Sequence, residues 1–67
     1  MKRFSIGQRW SNKDAISGPF FAEVMETSDQ GRSGTAVITD DGGNVLDTYS
    51  GSAATFQATG EWLLIEE

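Results

Sequence analysis

Apolar residues in this chain fall in short alternating runs, which predict five strands over residues 3–10, 20–27, 34–40, 44–50 and 61–66. In the first, Phe4, Ile6 and Trp10 share one face and Ser5, Arg9 and Ser11 the other. Gly7 interrupts that run, where a bulge or sharp bend is expected. The second strand points Phe20, Ala22 and Val24 toward a core and leaves Phe21, Glu23, Met25 and Thr27 on what should be the wetter face. The third and fourth form a hairpin. Val37, Ile38, Thr39, Val45, Thr48 and Tyr49 suit a pleated, half-buried surface, and Asp41-Gly42-Gly43-Asn44 tolerates the positive φ of a tight turn. A slip of one residue exchanges the two faces of such a hairpin. The inward set preferred here is Ala36, Ile38 and Leu46.

The connections are less regular. Residues 11–19 read as a loop with one helical turn and Ile16 tucked inward, and residues 28–34 as a polar loop bracketed by glycines. Residues 51–60 are too small and polar for a central strand, so a short 3₁₀ turn is expected there with Phe56 as its plug. Four successive apolar residues, Trp62 to Ile65, predict a last strand buried on both sides or clasped at a barrel seam.

Composition narrows the classes. A chain of 67 residues makes one domain, residues 1–67, near the size where burial only just outweighs conformational entropy. It has no cysteine, so no disulfide or thiolate zinc site can supplement the core, and self-association would help it. No apolar run approaches the roughly 20 residues of a membrane span, and the first eight residues lack the apolar stretch of a signal peptide. The expectation is a soluble, cytoplasmic protein. The net charge is −5 but unevenly spread: Lys2, Arg3, Arg9 and Lys13 precede Asp14, and from there on Arg32 alone stands against ten carboxylates. This disfavours direct contact with a phosphate backbone, which needs clustered Lys and Arg, and favours a basic partner.

Five strands in this order, with Gly7-Gln8-Arg9-Trp10 supplying a Gly-x-x-Trp near the start, an acidic glycine turn between the third and fourth, and a compact turn before an apolar last strand, resemble the SH3-like small barrels. The expected fold class is therefore all-β, a five-stranded SH3-like small barrel with a short 3₁₀ turn before the last strand. Val37-Ile38-Thr39-Asp40-Asp41-Gly42 also resembles the strand-to-turn passage of Tudor-like members. Gly7-Gln8-Arg9-Trp10 is similar to the opening of some short phage and prophage proteins. The resemblance implies binding of peptides, modified side chains or nucleic acid, with catalysis uncommon, and no family site carries over residue by residue. The peptide-binding SH3 signature is missing, since Lys13 and Asp14 are the only charges of the first loop.

The chemical inventory points away from catalysis. Without His or Cys the usual general base, thiol nucleophile and imidazole ligand are absent; neither an enzyme nor a cofactor is expected. Asp40, Asp41, Asn44 and Asp47 crowd the hairpin turn, but calcium-loop spacing fails because Gly42 follows Asp40 by two and Gly51 holds the closing glutamate position. Gly31-Arg32-Ser33-Gly34 lacks the Lys-Ser/Thr ending of a phosphate loop. Phe21 and Met25, flanking Glu23, read either as a contact patch or as core of a strongly bent strand. Trp10 with Tyr49 reads as an aromatic cage or, more often in so small a chain, as core, with Tyr49 the ring expected to be exposed.

Three functions follow as expectations. The first is a non-enzymatic module binding protein, itself or a larger partner, through Phe21, Glu23, Met25 and Tyr49. The second is an acidic phage or mobile-element modulator that covers a basic nucleic-acid-binding surface, using Glu23, Glu26, Asp29, Asp40, Asp41 and Asp47. The third and weakest is single-stranded nucleic-acid binding through Arg3, Arg9, Lys13 and Trp10.

Overall fold

A computed structural model describes residues 2–12, 19–60 and 62–66. The strands are β1 (Arg9–Asn12), β2 (Phe20–Ser28), β3 (Ser33–Thr39), β4 (Val45–Ser52) and β5 (Leu63–Glu66), with a helix α1 (Ala53–Gly60) between β4 and β5. They form one antiparallel sheet in the order β4-β3-β2-β1-β5. This is the all-β, five-stranded arrangement expected of an SH3-like small barrel. Of the loop expected at 11–19, Ser11 and Asn12 belong instead to β1, while residues 13–18, with Lys13, Asp14, Ile16 and the expected helical turn, lie outside the described residues.

The first strand is shorter than the alternation suggests. Gln8 N–H donates to the Ser5 carbonyl, closing a turn in which Gly7 takes φ +88°. Gly7 N–H donates to the Val24 carbonyl and Val24 N–H to the Gln8 carbonyl, so two residues oppose one in a glycine bulge. The bend breaks the expected face. Phe4 and Trp10 are buried, but Ile6 projects from the turn at 69% exposure, and the inward place is taken by Gln8. A buried amide needs partners, and Gln8 has them: Oε1 accepts from Trp10 Nε1 (3.0 Å) and Ser5 N (3.3 Å), and Nε2 donates to the Arg3 carbonyl (3.1 Å).

Strand register corrects the hairpin. Ala36 lies opposite Tyr49 and Ile38 opposite Asp47, so β4 turns Tyr49 inward and Leu46 sits out at a bulge beside Thr39, half exposed. The expected inward place of Leu46 was the slipped register. Tyr49, expected to be the exposed ring, is half-buried against the core. The β2–β3 link is a tight turn over Asp29–Gly31, in which Asp29, Gln30 and Gly31 all have positive φ and Arg32 N–H returns to the Asp29 carbonyl. A side chain at Gly31 would strike the Phe4 carbonyl, and Phe4 N–H donates to the Gly31 carbonyl at 2.7 Å.

The helical turn expected before the last strand is present and longer, eight residues of α1. Ser52 caps it, its Oγ accepting from Thr55 N–H at 3.1 Å, and Ala53, Ala54 and Ala58 favour it. Phe56 is the plug. Its ring lies 5.4 Å from Phe4, 5.7 Å from Trp10, 5.0 Å from Tyr49 and 4.9 Å from Trp62, the last pair stacked at 12°. Trp10 and Tyr49 stand on strands three steps apart, about 14 Å on a flat sheet, so the sheet curls around this ring. Ala22, Ala36 and Ala53 are fully buried opposite the aromatics, small residues making room for large ones. The last strand is not buried on both sides: Leu64 packs inward, while Leu63 is 62% exposed and Ile65 46%. β5 pairs with β1 alone, so its outer edge and outer face lack cover from the described residues.

Candidate binding face

Pairing across β1, β2 and β3 assembles the outer face of the sheet row by row. Arg9 lies opposite Glu23 and Glu23 opposite Val37; Ser11 lies opposite Phe21 and Phe21 opposite Thr39. Directly opposed residues share a face, so the alternation that sends Ala22 and Val24 to the core sends Phe21 and Glu23 outward. A bulge between Val24 and Glu26 then turns Met25 out as well. These residues line a groove of about 410 Å³ with Arg9, Phe21, Glu23, Met25, Val37, Thr39 and Gly43 as its walls. Three of the four residues expected to bind protein therefore come together.

Tyr49 does not join them. It stands on the opposite face, where its hydroxyl donates to the Ser52 carbonyl at 2.7 Å and braces the passage from β4 into α1. Arg9 takes a place in the groove for which sequence reasoning had no signal beyond its parity with Glu23. Its guanidinium carbon lies 4.5 Å from the Phe21 ring centre, a cation–π contact that holds the side chain flat against the sheet. Phe21 is half-buried beneath it, and Met25 is 49% exposed. Among the described residues, neither Arg9 nor Glu23 has an ion-pair partner. Ser11 is buried with its Oγ unpartnered among the described residues.

The acidic residues do not form one field. Glu26 and Asp29 are exposed at one end of β2, at the β2–β3 turn. Asp40, Asp41 and Asp47 belong to the β3–β4 end. Asp40 works inside the turn: Oδ1 accepts from Gly42 N–H and Asn44 N–H, each at 2.9 Å, and Oδ2 from Asn44 Nδ2 at 3.1 Å. The Asn44 backbone and side-chain donors, helped by the Gly42 and Gly43 N–H groups and opposed by partial desolvation, hold the Asp40 carboxyl below its ordinary pKa. Asp47 Oδ1 accepts from Thr48 N–H at 2.8 Å. Turn geometry thus accounts for Asp40, and among the described residues no group of three metal-ligating side chains gathers.

The nucleic-acid constellation is dispersed too. Arg9 and Trp10 are neighbours on one strand and so face opposite ways, Trp10 being buried in the aromatic cluster. Arg3 donates to the Gln30 carbonyl at 3.5 Å, and Lys13 lies outside the described residues. A second hollow of about 240 Å³ at the far end of β2–β4 is edged with hydroxyls, among which Thr35 and Ser50 bond each other at 3.2 Å. No described helix is long and apolar enough to cross a membrane. No protein-family model matches the chain, and neither the curated proteins nor the solved structures searched contain a match to it.

Proposed function

We propose that this protein is a non-enzymatic interaction module that binds protein through the outer face of β1, β2 and β3, acting in the cytoplasm. The observation that supports this most is the groove that joins Phe21, Glu23 and Met25 to Arg9 and Val37. Large apolar side chains on a face whose opposite side already fills the core have no folding role that requires them there. Anchoring residues of this type, apolar and aromatic around an arginine, suit a contact surface. The test replaces Phe21→Ser and Met25→Ser together. The expected result is an unchanged far-ultraviolet circular dichroism spectrum with weakened association. An unfolded double variant would make these residues core and end the proposal.

A second reading takes its support from the hairpin turn. Asp41 is exposed in the turn whose Gly43 borders the groove, so the groove carries negative charge at one end and suits a basic rim on the partner. An acidic modulator that covers a basic nucleic-acid-binding surface would fit that charge. Its affinity would fall steeply between low and high salt, and salt-independent binding would count against it.

A further inference from the structure

We infer that the partner this face fits is a second copy of the same chain, in a symmetric face-to-face dimer; the inference rests on the reading of the outer face as a protein-binding surface. The centre of the face carries Arg9 on β1 directly opposite Glu23 on β2, with the exposed Glu66 of the edge strand on the other side of Arg9. Arg9 and Glu23 do not satisfy each other, because the guanidinium is laid over the Phe21 ring. A guanidinium stacked in this way keeps its in-plane donors free, and among the described residues the Glu23 carboxylate has no ion-pair partner. A pair of opposite charges is self-complementary under a two-fold rotation. An axis lying in the interface along the gap between β1 and β2 sets each Arg9 against the second copy's Glu23, forming two ion pairs.

The same axis accounts for the apolar residues further out. β5 flanks β1 on one side and β3 flanks β2 on the other, so the four strands β5-β1-β2-β3 are symmetric about that gap. Rotation lays β5 over the second copy's β3. Leu63, on the row of Ser11, Phe21 and Thr39, then meets Thr39, and the bulge of β5 beside Arg9, Ile65 with Glu66, meets the region of Val37. The exposed Ile65 of the edge strand and the groove-lining Val37 thereby cover one another, and Leu63 covers Thr39, while Arg9 meets Glu23.

Four strands about 4.8 Å apart and about 15 Å long span roughly 300 Å² in plane, below the roughly 800 Å² per partner of a standard stable interface. The dimer is accordingly weak and reversible, populated at concentrations from about 10 µM to about 1 mM. Sedimentation velocity of the full chain over that range in low salt should show concentration-dependent dimerisation. The methyl resonances of Val37, Leu63 and Ile65 should shift with concentration while those of buried Val24 stay fixed. Arg9→Glu alone and Glu23→Arg alone should each weaken self-association at least about tenfold, since both contacts become like-charged. Mixing the two variants in equal amounts should restore a dimer that neither forms alone. A wild-type chain that stays monomeric with stationary methyl shifts overturns the inference and leaves the face to another protein. A mixture no more associated than its components also overturns it. Failure of the face itself has a separate signature, unfolding of the Phe21→Ser, Met25→Ser variant.

Discussion

The two faces of β2 carry residues in the reverse of the order that hydrophobicity suggests. Ala22 and Val24 are sealed inside, while Phe21 stays half-buried and Met25 half exposed outside. The difference lies in what each face packs against. On the inner side the space is already taken by Phe56, with Phe4, Trp10, Tyr49 and Trp62 around it, so the strand beneath can afford only small residues. On the outer side Phe21 is covered by one arginine and Met25 is bulged outward. Burial is thus a property of the partner surface rather than of the side chain.

This contrast can be broken from the inside first. Phe56→Ala removes the ring on which four others converge and should cost about 3–5 kcal/mol, comparable with the whole stability of a small domain. Urea titration should find a chain largely unfolded without denaturant. Gln8→Leu comes next. It keeps the bulk but leaves Trp10 Nε1–H and Ser5 N–H without their acceptor, at about 1–3 kcal/mol, read as a lowered urea midpoint followed by tryptophan fluorescence. From the outside, Phe21→Ser with Met25→Ser should cost no more than about 1–2 kcal/mol together and leave a cooperative transition. If the outer pair proved as costly as Phe56, the two faces would be one core.

The smallest effect sharpens the view of the hairpin turn as scaffold. Asp40 has a folded pKa depressed below its unfolded value of 3.8, so its carboxylate contributes stability above that pH and loses it as pH falls through the folded value. The urea midpoint of Asp40→Ala should lie below wild type at about pH 6, and the gap should narrow as the pH drops below 3.8. A gap constant with pH would mean that the carboxylate charge adds nothing to the turn.

Period-two alternation was sufficient to read β3, and β2 as far as its bulge at Met25, because there the pleat is regular and the inward residues Ala22, Val24, Ala36 and Ile38 are all apolar; Phe20, expected inward with them, is only half-buried. Alternation also brought Phe21, Glu23 and Met25 onto one face before any pairing was known. It failed in the first and fourth strands, where an added residue shifts the alternation. The Gly7 bulge turned Gln8 inward and Ile6 out, and the bulge at Leu46 lies in a strand whose inward residue is Tyr49. Gly7 itself was a readable warning. The helix at Ala53–Gly60 had a signal as well, Ser52 three residues before Thr55, but its weak amphipathic pattern hid its length.

What the sequence determines by itself is local: where the longer strands run, where glycine and Asp-Asn chemistry turn the chain, and which residues share a face in strands without a shifting bulge. These follow from backbone sterics and side-chain alternation, which act within a few residues. Only the tertiary structure decides register, and with it everything that depends on neighbours from distant segments. It puts Tyr49 beside Phe56 on the opposite face from Phe21, lays Arg9 over Phe21 beside a Glu23 without an ion pair among the described residues, and leaves Leu63 and Ile65 exposed on the edge strand. Those placements come from long-range strand pairing and from the volume of one aromatic plug, and neither is written in any short stretch of the chain.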